Sequence, residues 1–326
     1  MSLTETAYEK VPQAMKRALH LTASPVWNHD EKRLRAPLRA LLPLVVTFAA
    51  LGAIQAFVRP RFDQQLFVFF VESASLFVVL LMAILGSAKL LDRRPVDEYG
   101  FSFDRGWARS FAVGGVIATV ANAGTFLVAV GTGWATVSGF LEGSGPLPFM
   151  LAMAAAFFFT AVAAAWEEFV FRATMLKNLA EGSNGYLPGW IAVVVAVLLS
   201  TAVFAFLHSG KVDDFAIGYS YYAVAGLVLA VAYVLSGDLA LPIGFHVFYN
   251  YTMAAFFGLG VSQTGPELVA LEFAGSNFWI GEEGVIRIVF AIVGGVLLVA
   301  YIQYRDGELR IDERVTRWTP RWRRKE

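Results

Sequence analysis

The sequence AVAAAWEEFVFRATMLK, residues 161–177, places two adjacent carboxylates and an arginine inside an otherwise apolar run. Ionisable side chains inside an apolar membrane segment are costly, so they are rare and usually functional. In a helix, Glu168 and Arg172 lie four residues apart on one face, within reach of an ion pair. Glu167 lies about 100° around the helix from Glu168, because an α-helix has ~3.6 residues per turn. The pattern predicts that the arginine holds one carboxylate while the other faces a different partner.

The composition of the chain indicates a polytopic membrane protein. Of the 326 residues, 57% are hydrophobic and only 16% are charged, which is too apolar for a soluble globular protein. The formal net charge is zero, so bulk electrostatics imply no nucleic-acid partner. The sequence contains no cysteine, which excludes disulfides, cysteine-ligated zinc, iron–sulfur clusters and thiol catalysis.

Eight apolar segments, each near the ~20 residues that a bilayer requires, predict an all-α fold with about eight transmembrane helices. They run approximately over residues 38–58, 66–90, 108–130, 147–177, 187–207, 220–236, 239–259 and 285–304. We therefore expect an interfacial or cytoplasmic segment over residues 1–36, a membrane domain over 37–304 and a basic cytoplasmic tail over 305–326. The tail combines Trp318 and Trp322 with basic residues, a composition that suits an anionic lipid surface.

The distribution of Lys and Arg predicts that both termini are cytoplasmic. With the N-terminus inside, the outer side keeps only Arg59, Arg61, Lys211 and Arg287 of the 26 Lys and Arg residues, and such a bias marks the other side as cytoplasmic. Charged groups buried in a membrane protein also need hydration or partners. We therefore expect a water-filled cavity that opens to the cytoplasm or laterally to the lipid.

Two histidines, His208 and His246, lie in or near apolar segments. For either one alone, a buried histidine bonded to a backbone carbonyl is the ordinary explanation. The spacing adds information, because His246 and Asn250 are four residues apart on one helix face, as are Phe204 and His208. These histidines also share the chain with the Glu-Glu pair that contains Glu167, so the three residues are candidates for one site.

Such a set of side chains suits the attack of water on a carbonyl group. A carboxylate in a low dielectric can serve as a general base, a neutral imidazole can orient the water or bind a metal, and an Asn or His donor can stabilise the oxyanion. His208, His246 and Glu167 can equally form a zinc site with an open position for water. The residue types alone do not separate a zinc-bound water from a water polarised by Glu167 without a metal.

The distance between Glu167 and His208 is a difficulty for this hypothesis. Counted from a turn near residues 181–187, Glu167 lies ~21 Å and His208 ~30 Å along their helices, at 1.5 Å per residue. The two side chains meet only if the helices tilt or if the fifth segment begins before it enters the bilayer. His246, by the same counting, lies close to the level of Glu167.

Three short motifs occur in order along residues 146–257, about a third of the chain. They are E-E-x-x-x-R at residues 167–172, F-x-x-x-H at 204–208 and H-x-x-x-N at 246–250. In this order, on apolar segments, they resemble the intramembrane endopeptidases of the type II CAAX prenyl protease and bacteriocin-processing family.

The resemblance implies a role for each matching residue. Glu167 would activate the water, His208 would hold and polarise it, and His246 and Asn250 would form the oxyanion side of the site. Glu168, Arg172 and Phe204 match the remaining motif positions as supporting residues. The resemblance also implies a membrane-associated peptide substrate, possible CAAX-type specificity and surrounding membrane lipid, and it favours a prokaryotic plasma membrane. It leaves the cofactor open between a divalent metal such as zinc and none.

Two other classes of function fit the same residues. A catalytically silent membrane scaffold or immunity-type protein predicts that substitutions at the catalytic positions leave the phenotype intact. A proton-coupled transporter is a third reading, because intramembrane Glu and His also form proton relays. The sequence shows neither an inverted repeat nor paired interrupted helices, which weighs against a transporter.

Overall fold

The computed structural model describes residues 25–29, 31–61, 65–209, 215–260 and 265–316. Most of the predicted interfacial segment and the tryptophans of the basic tail, Trp318 and Trp322, lie outside these residues. The predicted partition into an N-terminal segment, a membrane domain and a tail therefore stays a prediction.

Helices make up most of the described structure, as the composition predicts. In chain order they are α1 Ala36–Ala53, α2 Gln65–Gly86, α3 Arg105–Gly131, α4 Phe149–Glu168, α5 Lys177–Ser183, α6 Gly189–Ser209, α7 Phe215–Ser236, α8 Ala240–Tyr251, α9 Asn277–Ile280, α10 Val285–Asp306 and α11 Glu313–Thr316. Two antiparallel two-stranded sheets accompany them, β1 Trp27–Asn28 with β2 Arg33–Leu34 and β3 Ala135–Glu142 with β4 Glu267–Phe273.

Seven helices within the described residues are long and apolar enough to cross a membrane. They are Ala36–Phe57, Phe70–Leu91, Arg105–Gly131, Phe149–Ser183, Gly189–His208, Phe215–Ser236 and Asn277–Asp306. The remaining predicted segment, residues 239–259, forms the shorter helix α8 and a π-helical turn, Thr252–Phe256, that follows it. The protein is a multi-pass α-helical membrane protein, and α8 is packed inside the bundle, where ten of its twelve residues are buried.

Helix α8 owes its central position to close packing against α3. Gly114 of α3 and Gly244 of α8 face the partner backbone, and a Cβ atom at Gly244 would clash with the carbonyl oxygen of Phe111. Glycine permits this approach, since small residues let membrane helices pack at short distance. The contact fixes α8, which carries His246, in the middle of the molecule.

Two of the four π-helical segments in the described part of the chain adjoin candidate site residues. Phe169–Leu176 joins α4 to α5 without a break, and all eight of its residues are buried. It begins directly after Glu167 and Glu168, the last two residues of α4. Thr252–Phe256 begins two residues after Asn250. π-Helical segments within α-helices frequently occur at functional sites, and these two lie beside polar residues of the candidate site.

A buried charge cluster fastens the end of the bundle near β1 and β2. Arg39 donates to Asp92 at 2.8 Å, Arg94 donates to Glu181 at 2.9 Å, and the Tyr99 hydroxyl donates to Asp92 at 2.7 Å. Burial raises the pKa of Tyr99 well above its usual value, and the neighbouring Asp92 carboxylate raises it further. Tyr99 therefore stays a protonated donor. Arg39 and Arg94 are two of the residues on which the prediction of cytoplasmic termini is based. Both form buried ion pairs inside the protein.

Candidate active site

Glu167 and His208 lie close together, and the observed helix ends explain how they meet. Glu167 lies 16 residues before Ser183, where α5 ends, and His208 lies 19 residues after Gly189, where α6 begins. The two counts differ by three residues, or about 4.5 Å at 1.5 Å per residue. The expected offset of ~9 Å was too large because the first helix continues to Ser183 and the next begins only at Gly189.

The carboxylate of Glu167 faces both candidate histidines at equal distance. Its Oε2 atom lies 3.7 Å from Nε2 of His208 and 3.7 Å from Nε2 of His246. The Glu167 side chain is 19% exposed, and both imidazoles are less exposed than that. The structure thus brings together three residues that are far apart in sequence. Gaps of this length exceed a direct hydrogen bond, so they leave the three groups facing one another across a small space.

The second nitrogen of each imidazole is held by an acceptor. Nδ1 of His246 lies 2.7 Å from Oε1 of Glu168, and Nδ1 of His208 lies 2.8 Å from the carbonyl oxygen of Phe204. A carbonyl or a carboxylate only accepts, so both Nδ1 atoms carry the proton. In a neutral ring the Nε2 atom that faces Glu167 is then an unprotonated lone pair. With both rings neutral, three acceptors face one space, a setting in which a hydrogen-bond donor is favoured.

The ion pair that the i, i+4 spacing predicts is present and buried. Nη1 of Arg172 lies 3.2 Å from Oε1 of Glu168, the oxygen that also holds His246. Nη2 of Arg172 donates to the carbonyl oxygen of Gly226 at 3.1 Å. The guanidinium carbon lies 4.7 Å from the centre of the Phe204 ring, a distance at which a cation is attracted to an aromatic face. Glu168 and Arg172 therefore position His246 and α4 relative to α7.

Phe204 links this buried ion pair to the second histidine. Its ring lies 4.3 Å from the His208 ring, between centres, and 5.2 Å from that of Phe171 in an edge-to-face arrangement. The His208 ring also lies 5.0 Å from the ring of Tyr222. The orientation of His208 is consequently set by aromatic packing on two sides, in addition to its hydrogen bond to the backbone of Phe204.

A cavity of about 550 Å³ adjoins the three converging groups. Glu167, His208, His246 and Asn250 all line it. The cavity is lined as well by polar residues that the sequence analysis did not assign to the site, namely Tyr221, Tyr222, Tyr249, Glu282, Glu283 and Arg287. Arg287 lies just inside the apolar segment 285–304, and this position is the sequence signal that could have marked it as a site residue. The Lys and Arg distribution alone places it only on the outer side.

The cavity reaches the end of the bundle at which α6 ends and α10 begins. His208 is the penultimate residue of α6, and Glu282 and Glu283 directly precede Gly284, the cap of α10. In the orientation predicted from the Lys and Arg distribution, this end faces away from the cytoplasm. With cytoplasmic termini, the lining residues at this end fit a lateral opening better than one to the cytoplasm, and both the orientation and the opening stay predictions.

The residues present do not form a metal site as they are placed. Two imidazole nitrogens and a carboxylate oxygen are chemically suited to zinc. In the part of the chain that the structure describes, however, no group of three or more His, Asp or Glu residues is arranged to hold a metal ion.

The fold and the site define a multi-pass membrane protein with a polar cavity at a Glu-His-His cluster. Residues 148–252 match the family model described as Rce1-like, type II CAAX prenyl endopeptidase. The match confirms the resemblance that the motifs predicted, over about a third of the chain, and it spans Glu167, His208, His246 and Asn250. No curated protein and no solved structure matches the chain significantly.

Proposed function

We propose that the protein is an intramembrane endopeptidase in which Glu167 activates a water molecule for attack on a peptide bond. The observation that carries this proposal is the convergence of Glu167 Oε2 with Nε2 of His208 and of His246 at 3.7 Å on the wall of the cavity. With His208 neutral, a water molecule in this space can donate one O–H to the Glu167 carboxylate and the other to Nε2 of His208. Type II CAAX-like family membership of residues 148–252 supports the same chemistry.

The reaction begins with a water held between Glu167 and His208. One O–H donates to the Glu167 carboxylate and the other to Nε2 of His208, so the oxygen lone pair is free to attack the carbonyl carbon. Glu167 takes the first proton as the C–O bond forms. A tetrahedral oxyanion results, and it needs donors in the cavity.

Asn250 and His246 are the donors proposed for the oxyanion. The Asn250 carboxamide lines the cavity one helical turn after His246. Nε2 of His246 donates to the oxyanion only when this ring carries both protons, and the Glu168 carboxylate at Nδ1 fixes the ring so that Nε2 faces that side of the site. When the C–N bond breaks, Glu167 returns its proton to the leaving amine. The products are a new carboxylic acid and a new amine.

Cleavage of a quenched fluorescent peptide library by the detergent-purified protein tests the proposal. The library includes a prenylated CAAX peptide, because membrane-associated peptides of this type are the proposed substrates. Glu167→Gln should lower the rate ~10²–10⁴-fold, the usual contribution of a general base. Glu142→Gln, an exposed carboxylate on β3, is the matched control and should cleave normally. Cleavage that survives Glu167→Gln would refute the assignment.

Two further arms of the assay separate the remaining readings. Loss of wild-type cleavage in a strong zinc chelator would indicate that a metal held by Glu167, His208 and His246 activates the water. A silent scaffold or a proton-coupled transporter predicts no Glu167-dependent cleavage of any peptide. Fractionation of the producing cells tests the proposed location, a prokaryotic plasma membrane.

A further inference from the structure

Arg287 is a buried cation with unused hydrogen-bonding capacity on the wall of the cavity. It is 1% exposed and lines the same cavity as Glu167. Its Nη2 atom donates to the Tyr221 hydroxyl at 3.1 Å. Its Nε and Nη1 atoms have no hydrogen-bond partner among the residues that the structure describes. Arg287 lies on α10, outside residues 148–252, so neither the motifs nor the family match accounts for it.

The surroundings of Arg287 hold the guanidinium in place without neutralising it. Its guanidinium carbon lies 5.4 Å from the ring centres of both Tyr221 and Tyr249, a range in which cation–π attraction operates. The Tyr249 hydroxyl donates to the Arg287 backbone carbonyl at 3.4 Å. Glu282 attracts the guanidinium electrostatically, but within the described part of the chain no carboxylate forms an ion pair with it. A guanidinium keeps its charge in proteins, and a buried charge without a partner is unfavourable.

We propose that the Arg287 guanidinium binds a carboxylate of the substrate beside the scissile bond. This inference rests on the function proposed above, and it specifies which chemical group of the substrate the cavity binds. The guanidinium fork matches a carboxylate through two parallel N–H···O bonds, and Nε with one Nη is one of the pairs that can form such a fork. The carboxylate is supplied either by the C-terminus of a peptide or by an Asp or Glu side chain.

Two acidic residues of the same cavity restrict where a substrate carboxylate can bind. Glu282 and Glu283 both line it, and Glu283 accepts a hydrogen bond from the Tyr222 hydroxyl. They repel an anion that approaches elsewhere in the cavity, since like charges at close range disfavour a wrong pose. A substrate carboxylate is thus admitted at Arg287 and disfavoured next to the acids, which would orient a peptide with respect to Glu167.

Binding of peptide pools to the full-length protein tests the proposal independently of hydrolysis. The protein carries Glu167→Gln, so that bound peptides are not consumed. Three pools of random short peptides are compared by retention and mass spectrometry. The first has free C-terminal carboxylates, the second has C-terminal amides and no acidic side chains, and the third has C-terminal amides with one Asp. Retention of the first pool above the second identifies a terminal carboxylate, and retention of only the third above the second identifies a side chain.

We expect the preferred acidic pool to bind about 10- to 100-fold better than the neutral pool, in line with a charge-assisted hydrogen-bond pair. Arg287→Gln should remove this preference, and Arg287→Lys should keep part of it, because an ammonium keeps the charge without the fork. Arg305→Gln, a charge change at the other end of α10, is the control and should leave the preference intact. Equal retention of all three pools, at any level, overturns the proposal, as does a preference that survives Arg287→Gln.

The outcome also separates this proposal from the function on which it rests. Glu167-dependent cleavage that proceeds equally with acidic and neutral peptides would keep the endopeptidase and reject the carboxylate site. An Arg287-dependent preference in binding, without cleavage by the wild-type protein, would keep the carboxylate site and reject the endopeptidase.

Discussion

Oε1 of Glu168 lies 2.7 Å from Nδ1 of His246, so one carboxylate of the adjacent pair holds the imidazole that faces the other. The neighbouring residue Glu167 points into the cavity, while Glu168 is fully buried behind it. Two adjacent residues of one helix thus have different surroundings, because about 100° of rotation separates their side chains. The positioning carboxylate is in turn held by Arg172.

The first prediction concerns Glu168→Gln. The amide replaces the charged acceptor that holds Nδ1 of His246 at 2.7 Å, so the imidazole that faces Glu167 is held less firmly. We expect kcat for peptide cleavage to fall about 10- to 100-fold, the range for loss of a hydrogen bond to a charged group, with KM nearly unchanged. Steady-state kinetics measure this. An unchanged kcat would show that Glu168 does not act through His246.

The second prediction concerns Arg172→Met. Removal of the guanidinium leaves the Glu168 carboxylate buried without a cation, which typically destabilises a protein by about 3–5 kcal/mol. Thermal unfolding in detergent should therefore show a clearly lowered midpoint. The double variant Glu168→Gln with Arg172→Met should recover part of the loss, because neither charge is then left unpaired. Additive losses in the double variant would contradict a direct coupling between the two residues.

The third prediction concerns the charge cluster at the opposite end of the bundle. Arg39 pairs with Asp92 and is buried, so Arg39→Met should destabilise the protein by about 3–5 kcal/mol. Arg310, which pairs with Glu308 on the surface, provides the control. Arg310→Met should leave the unfolding midpoint unchanged, since exposed ion pairs contribute little. Equal midpoints for the two variants would mean that the cluster does not fasten this end.

The fourth prediction concerns the contact between α3 and α8. Gly244→Ala places a methyl group against the backbone of Phe111, so it should separate the helices and lower both stability and peptide cleavage. Overpacking of this kind usually costs about 1–3 kcal/mol. Gly52→Ala is the matched control, because nothing lies within 4 Å of the added group and alanine favours a helix interior over glycine. A Gly244→Ala protein as stable as the Gly52→Ala protein would contradict the close contact.

The fifth prediction concerns orientation in the membrane, for which the cysteine-free chain is well suited. Ser138→Cys lies on exposed β3, and Arg310→Cys lies at the other end of the bundle, beyond α10. If the termini are cytoplasmic, a membrane-impermeant maleimide added outside intact cells labels only the Ser138→Cys protein. Labelling of only the Arg310→Cys protein would invert the predicted topology and place the end of the bundle that holds the candidate cavity at the cytoplasm.

The amino-acid sequence by itself determined the class of the fold and suggested which residues form the candidate site. Apolar segments of bilayer length identify membrane helices without further information, because a bilayer requires each spanning helix to satisfy its own backbone hydrogen bonds. The spacing of Glu168 and Arg172 predicted their ion pair for a similarly local reason, since residues four apart share a helix face. The motifs proposed Glu167, His208, His246 and Asn250, which all line one cavity, because their residue types and order are properties of the chain itself.

Only the tertiary structure decided how these residues meet and what surrounds them. The distance between Glu167 and His208 depends on where α5 ends and α6 begins, and helix ends depend on packing that periodicity does not encode. The interior position of α8 depends on its glycine contact with α3, a relation between segments more than a hundred residues apart. Arg287 joins the cavity for the same reason: burial of a charge is a property of neighbouring helices, and a single segment does not specify its neighbours.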